Sequence, residues 1–355
     1  LMHDQIQHLK AAGIKNAEYI NSDISLIQRD TIIEKIKRGE ISILYLSPEL
    51  FLSYDIRHFI GEERRLGLLV VDEAHLVTTW GRDFRVDYWY LGTYLKRLKK
   101  YSNSKFPVLA LTATAVYGGH DDIVFETVKS LNIIPLFHIG NVRRDEITFN
   151  FNHFKFTGSH EIEKIEQTTK IVMENINKKI KTIVYFPWKR QIDQVRRTLP
   201  ENYSLKTGIY YSNIDKTDKQ LVHEDFTKGN IIIVMATKAF GMGVDIGDIQ
   251  MIYHHAPSGN LADYIQEVGR VARDKNIKGS ANIDFNNKDL KFTKILYGLS
   301  SVKQYQIKFA LQKIYDLYIN RGKKTQMMVS SEDFAFIFSD KTRDLDAKVK
   351  SALLL

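Results

Sequence analysis

Leu66-Gly67-Leu68-Leu69-Val70-Val71-Asp72-Glu73-Ala74-His75 carries an apolar run that stops at two carboxylates and a histidine. A continuous apolar run of this length fits a parallel strand covered on both faces. It delivers Asp72 and Glu73 to the carboxyl end of that strand, where open α/β sheets place their ligands. Read alone, an Asp-Glu pair in this position more often caps the next helix. His75 alone would be an ordinary structural histidine.

Short apolar runs recur at Ile41–Leu46, Val108–Leu111, Thr182–Phe186, Ile231–Met235 and Met251–His254, with amphipathic stretches between them. This alternation predicts βαβ units and an α/β fold. Ser25–Arg38 has helical spacing and stops at Gly39, a C-cap signal. Gly158–Asn177 reads as another helix. Over Gly140–Lys155 the pattern lapses into polar and charged residues, including Arg143-Arg144-Asp145, so a boundary is placed there. The expected domains are 1–150 and 151–285. From residue 286 the strands end, and Lys288–Tyr318 reads as mostly helical and rich in tyrosine and lysine, so 286–355 forms a small appendage.

The 355 residues are 44% hydrophobic and 26% charged, enough apolar material for two cores. Lysine plus arginine number 51 against 42 acidic residues, and the net charge of +9 favours a polyanionic partner. With no cysteine, disulfides, thiolate nucleophiles and cysteine-based zinc sites are excluded, which fits a reducing cytoplasm. No apolar run approaches the roughly 20 residues that a bilayer requires, so no membrane partner is expected. The chain opens on Leu1 and enters a helical pattern at once, which suggests a cut rather than a natural start.

Beyond His75 the chain continues through Trp80-Gly81-Arg82-Asp83-Phe84-Arg85. At this point it resembles the RecQ family of superfamily 2 DNA helicases, in which a DEAH motif II runs into an aromatic-rich loop. Other stretches fall in the family's order. Leu1 to Gln5 looks like motif Ia, Tyr45-Leu46-Ser47-Pro48-Glu49 like motif Ib, and Leu109 to Ala115 like motif III. Val234 to Asp245 looks like motif V, and Gln266 to Asp274 like motif VI. Each of these is weak alone: Ser-Pro-Glu usually means a turn, and Thr-Ala-Thr a strand end.

The resemblance implies two RecA-like parallel-sheet domains that bind ATP and Mg²⁺ in the cleft between them. Single-stranded DNA and duplex junctions would be the partners, and translocation would run 3′→5′. Glu73 would position the attacking water, and Asp72 would hold Mg²⁺ through water, a mode that suits this oxygen-loving ion. His75, Thr112, Thr114, Gly243 and Asp245 would line the nucleotide site. Asp4, Gln5, Ser47, Trp80, Phe84, Arg85 and Thr237 would contact DNA; aromatic rings stack on bases and arginine pairs with phosphate. Gln266, Arg270 and Arg273 stand at i, i+4 and i+7, one face of a helix, and the two arginines would neutralise the transferring phosphoryl group.

The sequence departs from the family in places. G-x-x-x-x-G-K-[ST], which cradles phosphates, is missing: Gly118-Gly119 and Gly241-Met242-Gly243 have no lysine-serine follow-on. The sequence is therefore expected to be a piece of a complete helicase, and inactive by itself. The family's four-cysteine zinc module is excluded, so no zinc is expected, and the appendage is left to contact DNA or a protein partner. Motif VI has Val271-Ala272 where Ala-Gly is usual, and Tyr211-Ser212 replaces His-Ala. Two other readings stay open: a non-hydrolysing DNA-binding subunit, and an RNA helicase of the DEAH class.

Overall fold

Where apolar runs alternate with amphipathic stretches, the chain forms parallel strands joined by helices. The computed structural model describes residues 2–21, 24–78, 86–101, 106–115, 118, 122–140, 143–240, 246–274, 276–292, 302–324, 326–338 and 345–354. These fall into two compact units: Met2–Ile139 together with Ser300–Leu355, and Gly140–Leu299.

The first unit begins with α1 (Met2–Ala11), β1 (Ala17–Ile20), α2 (Leu26–Lys37) and β2 (Ile43–Leu46). Ser25 and Gln28 start α2 with a reciprocal capping box, and Gly39, at φ 83°, ends it with the left-handed turn a glycine accommodates. β1 and β2 pair in parallel from Ala17↔Ile43 to Ile20↔Leu46. There follow α3 (Pro48–Ser53), α4 (Ile56–Ile60), β3 (Leu69–Val71), a 3₁₀ turn (Ala74–Val77), α5 (Val86–Tyr101), β4 (Val108–Ala110) and α6 (Ile123–Leu131). β3 and β4 pair in parallel, with Val70 beside Leu109.

Phe51, Val71, Ala74, Val77, Leu91, Leu95, Phe106 and Leu131 form the core around this pair. Gly92 sets how closely α5 approaches α6: a Cβ there would fall 1.8 Å from the Ser130 carbonyl oxygen.

The second unit carries β5 (Ile147–His153), α7 (His160–Asn177), β6 (Thr182–Tyr185), α8 (Lys189–Thr198), α9 (Glu201–Ser204), β7 (Thr207–Tyr210), α10 (Lys216–Lys228), β8 (Ile233–Ala236), β9 (Met251–His254), α11 (Leu261–Val268) and β10 (Gly279–Phe285). The sheet is parallel throughout, in the order β5-β10-β9-β6-β8-β7. Its centre is buried on both faces. Along β6, Ile183 and Tyr185 enter one core, and Val184 and Phe186 enter the other. Burying each such side chain contributes about 1.5–3 kcal/mol, which is why the continuous apolar runs form the middle of the sheet. The boundary expected at residue 150 falls inside β5.

The last described segments, α12 (Gln304–Asn320), a 3₁₀ turn (Ser331–Phe334) and α13 (Leu345–Leu354), return to the first unit. Ala310, Phe334, Ile337, Phe338, Val349 and Ala352 give them a small core of their own. No described helix is long and apolar enough to cross a membrane.

Candidate functional site

β3 ends at Val71, and the chain turns so sharply that Glu73 takes a left-handed backbone, φ 49° and ψ 45°. Such a conformation costs a residue with a side chain on the order of 1–3 kcal/mol and is concentrated at functional turns. The Glu73 amide donates to Asp72 Oδ1 at 2.9 Å. The Ala74 amide donates to the Leu111 carbonyl at 2.8 Å, while the Leu111 amide donates to Val71 at 2.9 Å. The turn after β3 is thus bonded directly to the end of β4.

His75 completes that connection. Its Nδ1 lies 3.0 Å from Thr112 Oγ1, 3.3 Å from Thr114 Oγ1 and 3.4 Å from Glu73 Oε2. The imidazole is buried, and burial holds its pKa below the ordinary histidine value, with the Asp72 charge pulling the other way. A neutral ring follows at neutral pH, able to serve one hydroxyl as donor or another as acceptor. Asp72, Glu73, His75, Thr112 and Thr114 come together as one group. Carboxylate and hydroxyl oxygens are the donor set that Mg²⁺ takes, and Asp72 Oδ2 is not engaged by the Glu73 amide.

In the second unit α11 stops at Val268, with Gly269 as its C-cap. Arg270 and Arg273 therefore lie in the following turn and do not continue the helical face of Gln266, contrary to the spacing argument. Ala272 within that turn has φ 50°, a left-handed value that explains the glycine usual there. Arg270 is buried beside Tyr185, whose hydroxyl donates to the Phe240 carbonyl at 2.7 Å. Burial pushes the Tyr185 phenol up; the Arg270 charge opposes this. Arg273 is exposed and Gln266 half-buried.

Thr237 follows β8; its amide donates to Tyr210 at 3.1 Å, and its carbonyl accepts from Phe240 at 3.1 Å. Ser47 caps α3, its hydroxyl accepting from the Leu50 amide at 3.4 Å, so Ser47-Pro48-Glu49 opens a helix and not the turn that this tripeptide usually means. Gln5 is half-buried on α1. Trp80, Phe84, Arg85, Gly243, Asp245 and the Asp4 side chain lie outside the described residues.

Two polar groupings were not found from sequence. Glu267, on α11, is buried, accepting from Ser258 at 2.5 Å and lying 2.9 Å from His254 Nε2. It fixes the segment that leads into Arg270. In the same unit, His160 and Lys164 meet Asp289 at 2.8 and 2.9 Å, Lys164 also reaches the Asp284 carbonyl, and His255 meets Thr168 at 2.7 Å. His160, Lys164 and Thr168 stand four apart on α7, a polar stripe visible in the sequence.

Residues 1–121 match the DEAD/DEAH box helicase family and residues 163–275 the helicase conserved C-terminal domain. This chain belongs to the RecQ-like branch of the DEAD/DEAH box helicases. It is 30% identical over 275 residues to the ATP-dependent DNA helicase RecQ of Haemophilus influenzae, covering 77% of this chain and 41% of that protein. To the probable ATP-dependent DNA helicase RecS of Bacillus subtilis it is 33% identical over 282 residues, covering 77% and 52%. The RecQ-like chain thus spans about half the length of these relatives or less. Its fold is similar to that of the helicase MrfA bound to DNA and AMPPNP, with TM-score 0.62, 17% identity and coverage of 83% of this chain and 42% of that one. Mss116p bound to single-stranded RNA and AMP-PNP gives 0.62 at 15% identity, covering 96% and 73%.

Proposed function

We propose that the complete protein is an ATP-dependent DNA helicase of RecQ type that moves 3′→5′ along single-stranded DNA. The observation that carries this reading is the joined turn at the ends of β3 and β4. There Asp72 and Glu73 stand beside His75, whose Nδ1 lies 3.4 Å from Glu73 Oε2 and 3.0 and 3.3 Å from the Thr112 and Thr114 hydroxyls, and in sequence Trp80–Arg85 follows. When ATP and Mg²⁺ are bound, the metal supplies charge neutralisation at the phosphates; Asp72 would hold it through water. Glu73 orients the attacking water and accepts its proton. Arg270 and Arg273 are assigned to neutralise charge on the transferring phosphoryl group. His75, bonded to both threonines, carries a change at the nucleotide to the end of β4.

One further feature supports a nucleotide-binding partner for this turn. Leu68, Val70, Leu109 and Leu111 are each between 44% and 48% exposed on a face of the β3–β4 pair. Parallel strands are normally covered on both faces. A strand and helix bearing the phosphate cradle would cover this one.

DNA-stimulated ATP hydrolysis by the complete polypeptide tests the reading, alongside Glu73→Gln. Single-stranded DNA is expected to stimulate the wild type, and the variant is expected to lose at least about a hundredfold while still binding DNA. Full activity in Glu73→Gln removes that residue's assigned role, and stimulation by RNA in preference to DNA refutes the RecQ-type assignment.

A further inference from the structure

We propose that Lys350, on the C-terminal helix α13, is a positioning residue for the Asp72–His75 turn. It acts through α5, so that the C-terminal extension sets how strongly DNA stimulates ATP hydrolysis. The coupling half of this inference rests on the function proposed above; the structural half stands without it.

The extension is no loose tail: α13 is fixed to α12 and the Ser331–Phe334 turn by the apolar cluster that includes Phe334, Val349 and Ala352. From that base α13 packs against α5. The Lys350 ammonium lies 3.6 Å from Asp87 Oδ1 and 3.0 Å from Asp346 Oδ2, one turn back on its own helix. Asp87 sits in the first turn of α5, where a carboxylate already favours the helix N-terminus. Lys350 therefore grips the N-terminal end of α5.

The middle of α5 is bound to the catalytic turn. Leu91 and Leu95 share a core with Ala74 and Val77, which flank His75 and Leu76. Gly92 holds α5 against the α6 backbone with no room for a methyl group. Close-packed interiors have low compressibility and transmit a displacement to their neighbours. A change in the seating of the α5 N-terminus thus reaches the carboxylate turn on which α5 packs. Lys350 is 45% and Asp87 23% exposed at the side chain, so the pair is partly screened and its effect is moderate.

The test uses the complete polypeptide with Lys350→Glu, Lys350→Arg, Asp87→Asn and the Lys350→Glu/Asp87→Asn double variant. Two quantities are read: the ratio of DNA-stimulated to basal ATP hydrolysis, and amide hydrogen exchange over residues 86–95. Lys350→Glu is expected to lower the ratio about three- to tenfold, with basal rate and DNA affinity within about twofold, and to speed exchange in α5. Lys350→Arg should match the wild type. In the double variant the repulsion from Asp87 is gone while that from Asp346 stays, so the loss should be smaller than in Lys350→Glu alone but not abolished, the non-additivity expected of residues in contact.

Unchanged α5 exchange in Lys350→Glu overturns the brace. Faster exchange with an unchanged ratio overturns the coupling, and so does an equal fall in basal and stimulated rates. A wild type without DNA-stimulated hydrolysis defeats the proposed function and the coupling with it, while exchange still decides the brace.

Discussion

His75 and Thr112 join the ends of two neighbouring parallel strands: the imidazole Nδ1 stands 3.0 Å from the threonine hydroxyl. Because His75 also lies 3.4 Å from the Glu73 carboxylate, a shift at the end of β4 is felt where water would be activated. Thr112→Val keeps the side-chain shape and deletes the hydroxyl. A hydrogen bond of this kind contributes about 0.5–1.5 kcal/mol, so DNA-stimulated turnover is expected to fall about two- to tenfold. Basal hydrolysis and DNA affinity should change less. Steady-state ATPase assays with and without DNA check this; an unaltered stimulated rate would show that the contact only holds the fold.

Glu73 combines a left-handed backbone with the side chain proposed above to orient the attacking water. Replacement by glycine removes the steric cost of φ 49°, about 1–2 kcal/mol, against the roughly 0.5–1 kcal/mol glycine loses in flexibility on folding. Glu73→Gly should accordingly be more stable to urea by up to about 1.5 kcal/mol while losing ATP hydrolysis. Glu73→Gln should lose hydrolysis without that gain. A destabilised Glu73→Gly would mean that the carboxylate's contact with His75 outweighs the backbone strain.

These residues also mark how far the sequence could be read. The run ending in Asp72-Glu73 forms a strand only over Leu69–Val71, shorter than the Leu66–Val71 expected, whereas β9, inside the six-stranded sheet, occupies Met251–His254 with the expected bounds, because central parallel strands declare themselves by unbroken apolar runs. β5 was read as a polar lapse: it is an edge strand that alternates Phe149 and Phe151 with Thr148, Asn150 and Asn152, and Arg143-Arg144-Asp145 precedes it. β10, Gly-Ser-Ala-Asn-Ile-Asp-Phe over 279–285, is too polar and small to signal a strand. Periodicity placed Arg270 and Arg273 on a helix because it cannot see where Gly269 ends one. The place where the family prefers glycine, Ala272, was the sign that the backbone turns there. Nor can charge patterning say which unit a C-terminal helix rejoins; that is set by the fit of α13 against α5.

Gly92 should tolerate nothing larger. Its missing Cβ would come within 1.8 Å of the Ser130 oxygen and 2.7 Å of the Ser130 carbonyl carbon, both backbone atoms that move only with α6. Overpacking of this type costs about 1–3 kcal/mol or more. Gly92→Ala is expected to lower the stability of the first unit by at least that amount, read as a lower urea midpoint. By comparison Gly118→Ala, with φ 79° but open space around it, should cost only its backbone strain, about 1–2 kcal/mol. If Gly92→Ala were as stable as the wild type, α5 and α6 could separate freely.

His255 gives the second unit an acid sensitivity whose sign follows from its surroundings. The ring is buried, stacked 4.8 Å from Phe186 and bonded through Nδ1 to Thr168 at 2.7 Å. Burial first, and then the charges of Lys164 and His160, hold its pKa down to about 3 against an ordinary 6.5. The folded protein therefore refuses a proton that the unfolded chain accepts. Stability from this group is complete above pH 6.5, is lost as pH falls below that value, and levels off near pH 3, at about 1.4 kcal/mol per unit. Between pH 7.5 and 5.0 the contribution lost is about 2 kcal/mol. His255→Gln keeps a hydrogen-bonding group near Thr168 and takes no proton. Its absolute stability does not enter the test, since the quantity read is the difference between the urea unfolding free energies at the two pH values. That difference should be smaller in His255→Gln than in the wild type by about 2 kcal/mol, and equal differences would place the acid sensitivity elsewhere in the chain.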